Sequence, residues 1–410
     1  MENPLTSKQE TRSRRRRTLG AASAIHFVHD GFSDLLYLLL PVWQAEFALS
    51  LSQVGFIKSC FSGAMAAGQV PFGLLAERFG ERLLLAMGTV MIGLAYMVLG
   101  TAGGFFSLLA VLLVAGSASA VQHPLCSSVV ARAYEMGGRR VALGVYNFAG
   151  DFGKMVVPAV AALAVAAFGW RLAAAGYGLI GAGAGLAVFA VLGSIGIGLR
   201  PPAPAAREGP AAGWGIRHRF GFSTLSAIGI LDGGVRTAFL TLLPFLLIGK
   251  GAAIETIGGA LALVFAGGAT GKFLCGALAQ RLGIVRTVML SEIVTGIGIL
   301  ALLELPLGGV LALLPLVGLG LNGTSSVLYA TVADFVASER RSRGFALFYT
   351  LGIGAGAVAP SIFGVLSDLA GLKAALMVAA GGALITVPLS VLMSGPLAAV
   401  AGDNTKGPDY

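Results

Sequence analysis

Ionisable side chains stand inside long apolar stretches of this 410-residue sequence. The stretch HFVHDGFSDLLYLLLP, residues 26–41, holds two His and two Asp in its first nine residues and is mostly apolar after them. His26, Asp30, Ser33 and Tyr37 recur at spacings of three and four, so a helix would place them on one polar face. A carboxyl group on such a face can take up and release a proton, and proton exchange is the chemistry that we predict for it.

Eight ionisable residues lie within apolar stretches at the depth of a bilayer, four acidic and four basic: Asp30, Asp34, Lys58, Asp151, Lys154, Asp232, Arg236 and Lys272. Each costs roughly 2.5–3.5 kcal/mol near the centre of a membrane, so equal numbers of the two signs favour pairing. Each pair is either a fixed ion pair that sets helix register or a site of proton exchange. Spacing and depth allow three pairs: Asp151 with Lys154, Asp232 with Arg236, and Asp34 with Lys58.

Two roles are predicted for these side chains and their neighbours. Burial favours the neutral form of a carboxyl group and a nearby cation favours its charged form, so movement of the cation can release a proton. The predicted proton-coupling residues are Asp30, Asp34 and Asp151, with Asp30 or Asp34 favoured. The predicted substrate-binding residues are polar, charged or aromatic: His26, His29, Tyr37, Lys58, His123, Tyr146, Asn147, Lys154, Asp232, Arg236 and Lys272.

Histidines near the acidic residues also allow a metal-site hypothesis. His and Asp four residues apart on a helix can ligate one ion, which makes a transition-metal exporter a minor alternative. Helix packing is the competing interpretation for His123, and we predict no resident metal and no cofactor. GLGLNG at 318–323 is similar to a nucleotide-binding motif, but it lies inside an apolar helix and follows no strand. No arrangement of nucleophile and base is visible, so the sequence does not predict an enzyme.

The elements that carry these residues must cross a membrane. Hydrophobic residues make up 56% of the chain and charged residues 11%, whereas soluble domains have about 25% charged residues. Apolar runs such as 83–106 and 172–199 reach the roughly 20 residues that span a bilayer as a helix. We therefore predict an all-α membrane protein with twelve transmembrane helices, near residues 19–42, 53–76, 82–101, 104–134, 139–168, 172–198, 219–248, 253–280, 285–304, 306–337, 341–369 and 373–396.

The net charge of +9 follows membrane topology and does not indicate nucleic-acid binding. Loops on one side hold 21 Lys and Arg residues, and loops on the other side hold three. The positive-inside rule then places both termini and the central linker in the cytoplasm. We expect a multi-pass monomer in the inner membrane of a bacterium, with the lipid bilayer, protons and a small-molecule substrate as its partners.

Residue types repeat between the two halves of the sequence at an offset of 203, in one proline, two arginine and five glycine pairs: Pro41/Pro244, Gly55/Gly258, Gly68/Gly271, Gly73/Gly276, Arg78/Arg281, Gly80/Gly283, Arg140/Arg343 and Gly153/Gly356. The repeat predicts two tandem six-helix bundles related by a pseudo-two-fold axis, and a substrate site is expected where the repeats meet. The predicted organisation is a basic N-terminus, a bundle, a linker, a second bundle and a tail, at 1–18, 19–198, 199–218, 219–396 and 397–410.

A loop motif occurs in both halves. GLLAERFGER at 73–82 joins predicted helices 2 and 3, and GALAQRLGIVR at 276–286 joins predicted helices 8 and 9. The first copy resembles the G-x-x-x-[DE]-R-x-G-x-R signature of the major facilitator superfamily, and the second has Gln280 in the acidic position. The resemblance implies the major facilitator fold and a cytoplasmic gating motif formed by Gly73, Glu77, Arg78, Gly80 and Arg82.

The N-terminal half resembles one branch of that superfamily more narrowly. HFVHD at 26–30, QAEFALSLSQVG at 44–55 and HPLCSSVVAR at 123–132 are similar to the fosmidomycin-resistance branch, a group of drug/proton antiporters. The resemblance implies a proton-coupled secondary transporter that works by alternating access and exports a small amphipathic or drug-like molecule.

Basic residues keep a second substrate class open. Lys58, Lys154, Arg236 and Lys272 could bind a carboxylate or a phosphate, and arginine suits a bidentate contact. An organic-anion carrier is therefore the alternative interpretation. A transporter-like sensor that binds ligand without moving it is a minor one.

Overall fold

Helices make up nearly all of the structure, a computed structural model that describes residues 4–135, 137–197, 214–337 and 341–405. The first half of the chain contains α1 (Pro4–Phe47), α2 (Leu51–Phe79), α3 (Glu81–Leu99), α4 (Phe105–Ser119), α5 (Gln122–Ala133) and α6 (Arg139–Ser194). The second half contains α7 (Arg219–Gly249), α8 (Ile254–Leu282), α9 (Ile284–Glu304), α10 (Leu307–Phe335), α11 (Arg341–Ala370), α12 (Leu372–Leu392) and α13 (Ser394–Thr405).

The predicted all-α membrane fold is confirmed, although some helices begin and end elsewhere. Predicted helix 4 is divided, because α4 ends at Ser119 and α5 begins at Gln122. Predicted helices 5 and 6 are the two halves of α6, which turns at Gly169 with φ 78° and ψ 157°, a conformation that favours glycine.

Membrane-spanning capacity agrees with the predicted number of crossings. Within the described residues, nine segments are long and apolar enough to cross a bilayer. One of them, in α6, has 54 residues, enough for two crossings of about 20 residues each. The α1 and α2 helices are not among the nine, because their polar residues lower the mean hydropathy. With α1, α2 and the second half of α6, the nine segments account for the twelve predicted helices.

The chain divides into two compact units. One consists of Met1–Phe47 with Cys60–Arg207, and the other of Ala48–Ser59 with Glu208–Tyr410. The α2 helix therefore begins in the second unit and continues in the first. The predicted domain boundaries stay predictions, and residues 199–213 of the predicted linker lie outside the described residues.

Equivalent helix contacts recur in the two units. In the first unit, a Cβ atom at Gly116 of α4 would lie 2.3 Å from the Phe61 carbonyl oxygen of α2. In the second unit, a Cβ atom at Gly318 of α10 would lie 2.1 Å from the Val264 carbonyl oxygen of α8. Both pairs of helices touch through their backbones, as small residues permit in membranes. A similar close backbone contact therefore occurs in each unit.

An aspartate near the end of α11 caps the start of α2 within the second unit. The backbone N–H groups of Leu51 and Ser52 donate to Asp368 Oδ1 and Oδ2 at 2.9 and 2.8 Å. The first N–H groups of a helix have no partner inside the helix, and a carboxylate both accepts their hydrogen bonds and interacts favourably with the helix dipole. Asp368 therefore fixes the first turn of α2.

The Asp368→Ala substitution is expected to lower stability by about 1 kcal/mol, the usual loss when a capping side chain is removed. The melting temperature of the purified protein in detergent measures this loss. Glu304→Ala is the control, because Glu304 lies at the end of α9 with a side chain that is 71% exposed. Equal melting temperatures for Asp368→Ala and the control would show that the cap contributes nothing.

Candidate functional site

The Asp30 carboxylate of α1 is the centre of a buried polar cluster in the first unit. Its Oδ2 atom lies 3.2 Å from His26 Nε2 and 3.3 Å from Lys154 Nζ. Its Oδ1 atom lies 3.7 Å from His123 Nε2. Asp30 is only 4% exposed, so these three side chains, which come from α1, α5 and α6, largely replace water around its charge. We call these four residues the Asp30 cluster.

The close approach of α6 to α1 makes room for the cluster. A Cβ atom at Gly153 of α6 would lie 2.3 Å from the Phe27 carbonyl oxygen of α1. One turn earlier, a Cβ atom at Gly150 would lie 2.5 Å from His26 Nε2 and 2.6 Å from Asp30 Oδ2. Glycine lets two helices in a membrane approach closely. At Gly150 the space that a side chain would fill is taken by the imidazole and the carboxylate.

The Gly150→Ala substitution is expected to push His26 and Asp30 out of contact, because its methyl group would overlap both side chains. Overpacking of this kind costs about 1–3 kcal/mol, so the melting temperature should fall. Gly176→Ala is the matched control on the same helix, where a Cβ atom meets nothing within 4 Å. A Gly150→Ala protein that is as stable as the control would mean that α1 and α6 lie further apart than described.

A hydrogen bond between the His26 ring and the Asp30 carboxyl group requires an additional proton. His26 Nδ1 lies 2.9 Å from the Tyr146 carbonyl oxygen, which can only accept, so Nδ1 carries a hydrogen. In a neutral ring Nε2 then carries none, and an ionised carboxylate also has none to give. The contact between His26 Nε2 and Asp30 Oδ2 at 3.2 Å is therefore a hydrogen bond only when the pair holds one further proton.

Aromatic packing fixes the orientation of the His26 ring. The ring stacks on Tyr146 with centroids 4.2 Å apart and meets His123 edge-on at 5.2 Å. The Tyr146 hydroxyl oxygen accepts a hydrogen bond from Gln122 Nε2 at 2.7 Å. Tyr146 thus positions His26 through both its ring and its backbone, and its predicted contact with substrate stays a prediction.

The Lys154 ammonium group bridges two carboxylates on different helices. It lies 3.8 Å from Asp151 Oδ1 on its own helix and closer, at 3.3 Å, to Asp30 Oδ2 on α1. The Lys154 side chain is 30% exposed, whereas that of Asp30 is 6% exposed. A cation between two carboxylates moves toward whichever is ionised. Lys154 is therefore placed to respond to the protonation of Asp30.

His29 faces away from the Asp30 cluster, toward α3 and α4. Its Nε2 atom lies 2.9 Å from Thr89 Oγ1, and its Nδ1 atom lies 3.4 Å from Ser119 Oγ. The Thr89 hydroxyl group donates to the Leu85 carbonyl oxygen at 2.6 Å, so it accepts from His29. Both ring nitrogens are thus used in helix packing. The predicted role of His29 in substrate binding stays a prediction.

The structure gives the positions of four other predicted site residues, and their predicted roles stay predictions. Asp34 and Tyr37 are buried further along α1, and Asn147 is exposed on α6. Lys58 is buried on the part of α2 that belongs to the second unit. The predicted pair of Asp34 with Lys58 stays a prediction.

His26, Asp30 and His123 offer three ligand atoms that lie within 4.8 Å of one another. Imidazole and carboxylate are donors that transition metals accept. However, the Lys154 ammonium group lies 3.3 Å from Asp30 Oδ2, and a metal ion bound there would face this positive charge. The donor set fits a proton better than a divalent ion.

A second buried group of charges lies in the second unit. Asp232 Oδ2 of α7 accepts a hydrogen bond from Arg236 Nη2 one turn later, at 3.2 Å. Glu292 of α9 is 1% exposed and lies within hydrogen-bonding reach of Asp232. Glu292 was not among the predicted site residues, although it is the one acidic residue in the apolar run 285–303. Lys272 lies half-buried on α8, and its carbonyl oxygen accepts from the Ser326 hydroxyl group at 3.3 Å.

The predicted gating motif joins α2 to α3. Gly80, with φ 79°, forms the turn between them. Arg82 Nε donates to the Phe189 carbonyl oxygen at 2.9 Å, and the guanidinium group stacks on the Phe189 ring. Arg82 therefore ties α3 to α6, while the gating role of the motif stays a prediction. The other residues of the motif lie in the last turns of α2: Gly73, Glu77 and Arg78.

Comparison with known families identifies the class of protein. The family model of the Major Facilitator Superfamily matches residues 22–228 and 225–405, nearly the whole chain. The chain belongs to the Major Facilitator Superfamily. It is therefore a multi-pass membrane transporter of small molecules and not an enzyme.

Two relatives of this transporter match it over shorter segments. Over 151 residues, 37% of each chain, it is 30% identical to the fosmidomycin resistance protein of Escherichia coli K12. Over 131 residues, 32% of this chain and 30% of the other, it is 28% identical to a probable sulfoacetate transporter of Cupriavidus necator. Each match spans about a third of the relative's length.

Among solved structures, a bacterial homologue of the human lysosomal transporter Spinster, in an inward-facing and unoccupied conformation, resembles this transporter with a TM-score of 0.72. The sequence identity is 16%, and the match covers 94% of this chain and 97% of that chain. The likeness shows the fold. The predicted resemblance to the superfamily and to a fosmidomycin-resistance protein is thus confirmed.

Proposed function

We propose that this protein is a proton-coupled secondary transporter that exports a small amphipathic or drug-like molecule by alternating access. The contact between His26 and Asp30 carries the proposal, because it is a hydrogen bond only when the pair holds one further proton. A buried carboxyl group with a basic partner is the usual form of a proton relay within a membrane. Asp30 is the proposed proton carrier.

Lys154 supplies the link between the proton and the substrate. While Asp30 is ionised, its charge attracts the Lys154 ammonium group, and Asp151 offers that group a second carboxylate 3.8 Å away. When Asp30 binds a proton, the attraction of Lys154 to Asp30 weakens. A substrate that contacts Lys154 would then bind the two protonation states of Asp30 with different affinities. By the reciprocity of coupled binding, substrate binding would change the proton affinity of Asp30 by the same factor.

The direction and location of transport rest on different observations. Export is proposed from the similarity to the fosmidomycin resistance protein. Location in a bacterial inner membrane with both termini in the cytoplasm is proposed from the excess of Lys and Arg on one set of loops. A monomer is proposed, with protons, substrate and the lipid bilayer as partners.

Transport of an organic anion is the second candidate function. The side chains of His123 and Lys154 are each 30% exposed, so the accessible part of the Asp30 cluster presents groups that can be positive. A carboxylate or sulfonate would find hydrogen-bond donors there. The similarity to a probable sulfoacetate transporter favours the same class.

The full chain in proteoliposomes tests both candidates, with fosmidomycin and sulfoacetate as probes. A gradient of one pH unit should drive movement of a transported probe against its concentration gradient, and a protonophore should abolish that uphill movement. Uphill movement of fosmidomycin would support export of a drug-like molecule, and uphill movement of sulfoacetate would support the anion carrier. Movement of a probe that is the same with and without the pH gradient would refute proton coupling.

A further inference from the structure

We infer that Asp232 and Glu292 form a second proton-binding site, in which one proton is held between two buried carboxyl groups of the second unit. The inference extends the proposed function to residues in the other half of the chain, but it does not depend on Asp30 or on the identity of the substrate. It rests on hydrogen bonding and charge balance around Glu292.

Contact between the two carboxyl groups is the first observation. Asp232 is 5% exposed and Glu292 is 1% exposed, so little water reaches either group. Their side chains lie within hydrogen-bonding reach of each other. Ionised carboxylates can only accept hydrogen bonds. A hydrogen bond between Asp232 and Glu292 therefore requires that one of them carries a proton.

The threonines beside Glu292 give independent support. Thr324 and Thr386 lie next to the Glu292 carboxyl group, and each hydroxyl group has one hydrogen to donate. The Thr386 hydroxyl group donates to the Ala383 carbonyl oxygen at 2.6 Å. The Thr324 hydroxyl group donates to Ser291 Oγ at 2.7 Å. Both hydroxyl hydrogens then point away from Glu292 and do not stabilise its ionised form. Arg236 Nη2, in contrast, donates to Asp232 Oδ2 at 3.2 Å and favours the ionised form of Asp232. Glu292 is therefore the group that holds the proton.

Ser291 makes this assignment consistent. Its hydroxyl group donates to the backbone carbonyl oxygens of Thr287 and Val288, both at 3.0 Å. Its oxygen is therefore free to accept from Thr324, which uses the single hydrogen of Thr324. The chain of donors runs from Thr324 through Ser291 to the helix backbone and away from Glu292.

Charge balance points to the same state. Asp232 and Arg236 are the charged groups that face Glu292 from α7. Cys275 of α8 lies near Glu292, and Tyr329 of α10 lies near Arg236 and Asp232; thiol and phenol groups are ordinarily neutral near pH 7. Two ionised carboxylates and one guanidinium group would leave a net negative charge at membrane depth, which is costly. With one proton on Glu292, the net charge of Asp232, Arg236 and Glu292 together is zero.

Infrared spectroscopy of the purified full chain in nanodiscs tests the inference, because a protonated carboxyl group has a C=O stretch distinct from that of a carboxylate. At pH 7 the wild-type protein should show this band. The isosteric Glu292→Gln substitution should remove it, and Glu304→Gln, at the exposed end of the same helix, should leave it unchanged. Because a protonated Asp30 would add a band of its own, the variants are compared in the Asp30→Asn background, and a band that persists there in Glu292→Gln would overturn the inference.

Labelling with ¹³C in the glutamate carboxyl group provides a test that needs no variant and so does not depend on folding of Glu292→Gln. The band should move to lower frequency with labelled glutamate and stay in place with labelled aspartate; the opposite pattern would overturn the assignment of the proton to Glu292. Replacing K⁺ by Na⁺ at pH 7 should not change the band, and its loss in Na⁺ would show a sodium site instead of a proton site. Asp30→Asn should retain the band, which separates this inference from the proposed role of Asp30.

Discussion

The Asp30→Asn protein is expected to lose transport driven by a pH gradient while it retains exchange of substrate. Asparagine has nearly the same shape as aspartate but cannot take up and release a proton. It can still occupy the space beside His26 and Lys154, which lie 3.2 and 3.3 Å from Asp30 Oδ2. Conformational exchange can therefore continue without a proton, but the proton gradient no longer supplies energy to it.

The size of the effect follows from the energy of the gradient. One pH unit is worth about 1.4 kcal/mol per proton, enough for roughly a tenfold concentration ratio of substrate if one proton is exchanged per cycle. We expect the wild-type protein in proteoliposomes to approach that ratio and Asp30→Asn to reach a ratio of about one. Counterflow of labelled against unlabelled probe, without a gradient, measures the exchange that should remain.

Asp34→Asn is the matched comparison, because Asp34 lies one turn further along α1 and is also buried. Coupling should persist in this variant if Asp30 carries the proton. Loss of coupling in Asp34→Asn with full coupling in Asp30→Asn would assign the proton to Asp34. Loss of both coupling and counterflow in Asp30→Asn would indicate a structural role for Asp30 and contradict the proposal.

Most of the fold follows from patterns that need no knowledge of tertiary contacts. Apolar run length depends on bilayer thickness, so it predicts crossings directly. The offset of 203 between glycines such as Gly80 and Gly283 predicted the repeat, and both residues have left-handed φ, 79° and 86°. One break was predicted and one was not. The boundary between predicted helices 5 and 6 agrees with the turn of α6 at Gly169, whereas the division of predicted helix 4 at Ser119 is not specified by run length.

The sequence predicted the features of the candidate site that lie within one helix, but not the contacts between helices. The polar face of α1 follows from helical periodicity, but the same spacing does not distinguish Asp30 from His29, which packs against Thr89. The contact between Asp30 and Lys154 depends on the packing of α6 against α1. Glycines at 150 and 153 permit that packing, and glycine is too frequent here, at 61 residues, to mark one interface.

Glu292 shows a different limit. A single carboxyl group in an otherwise apolar run was not recognised as a site, because helix 9 offers no neighbour of opposite charge at helical spacing within the run. Its partners lie on other helices, with Asp232 and Arg236 on α7 and Thr386 on α12. Isolation along the sequence was the available signal, since a buried carboxyl group at membrane depth needs a partner or a proton.

Lys154→Gln is expected to destabilise the protein at neutral pH by about 1–3 kcal/mol, less than the 3–5 kcal/mol typical when one member of a fully buried ion pair is removed. The smaller value reflects the Lys154 side chain, which is 30% exposed. Without the ammonium group, the Asp30 charge is buried beside two imidazoles and has lost its permanent cation. At lower pH a proton can neutralise Asp30, so the loss should shrink between pH 8 and pH 5. Melting temperatures of the variant and wild type at both pH values measure this change.

The double variant Asp30→Asn with Lys154→Gln separates charge from packing. If the loss comes from the uncompensated Asp30 charge, the double variant should be more stable at pH 8 than Lys154→Gln alone, with a coupling energy of about 0.5–3 kcal/mol. Lys373→Gln is the control, since the Lys373 side chain is 63% exposed and pairs with Glu304 at the surface, where ion pairs contribute little. A double variant no more stable than Lys154→Gln would place the loss in packing of the lysine stem. Recovery would show that Lys154 and a proton compete for the same carboxylate, which is the exchange that proton-coupled transport requires.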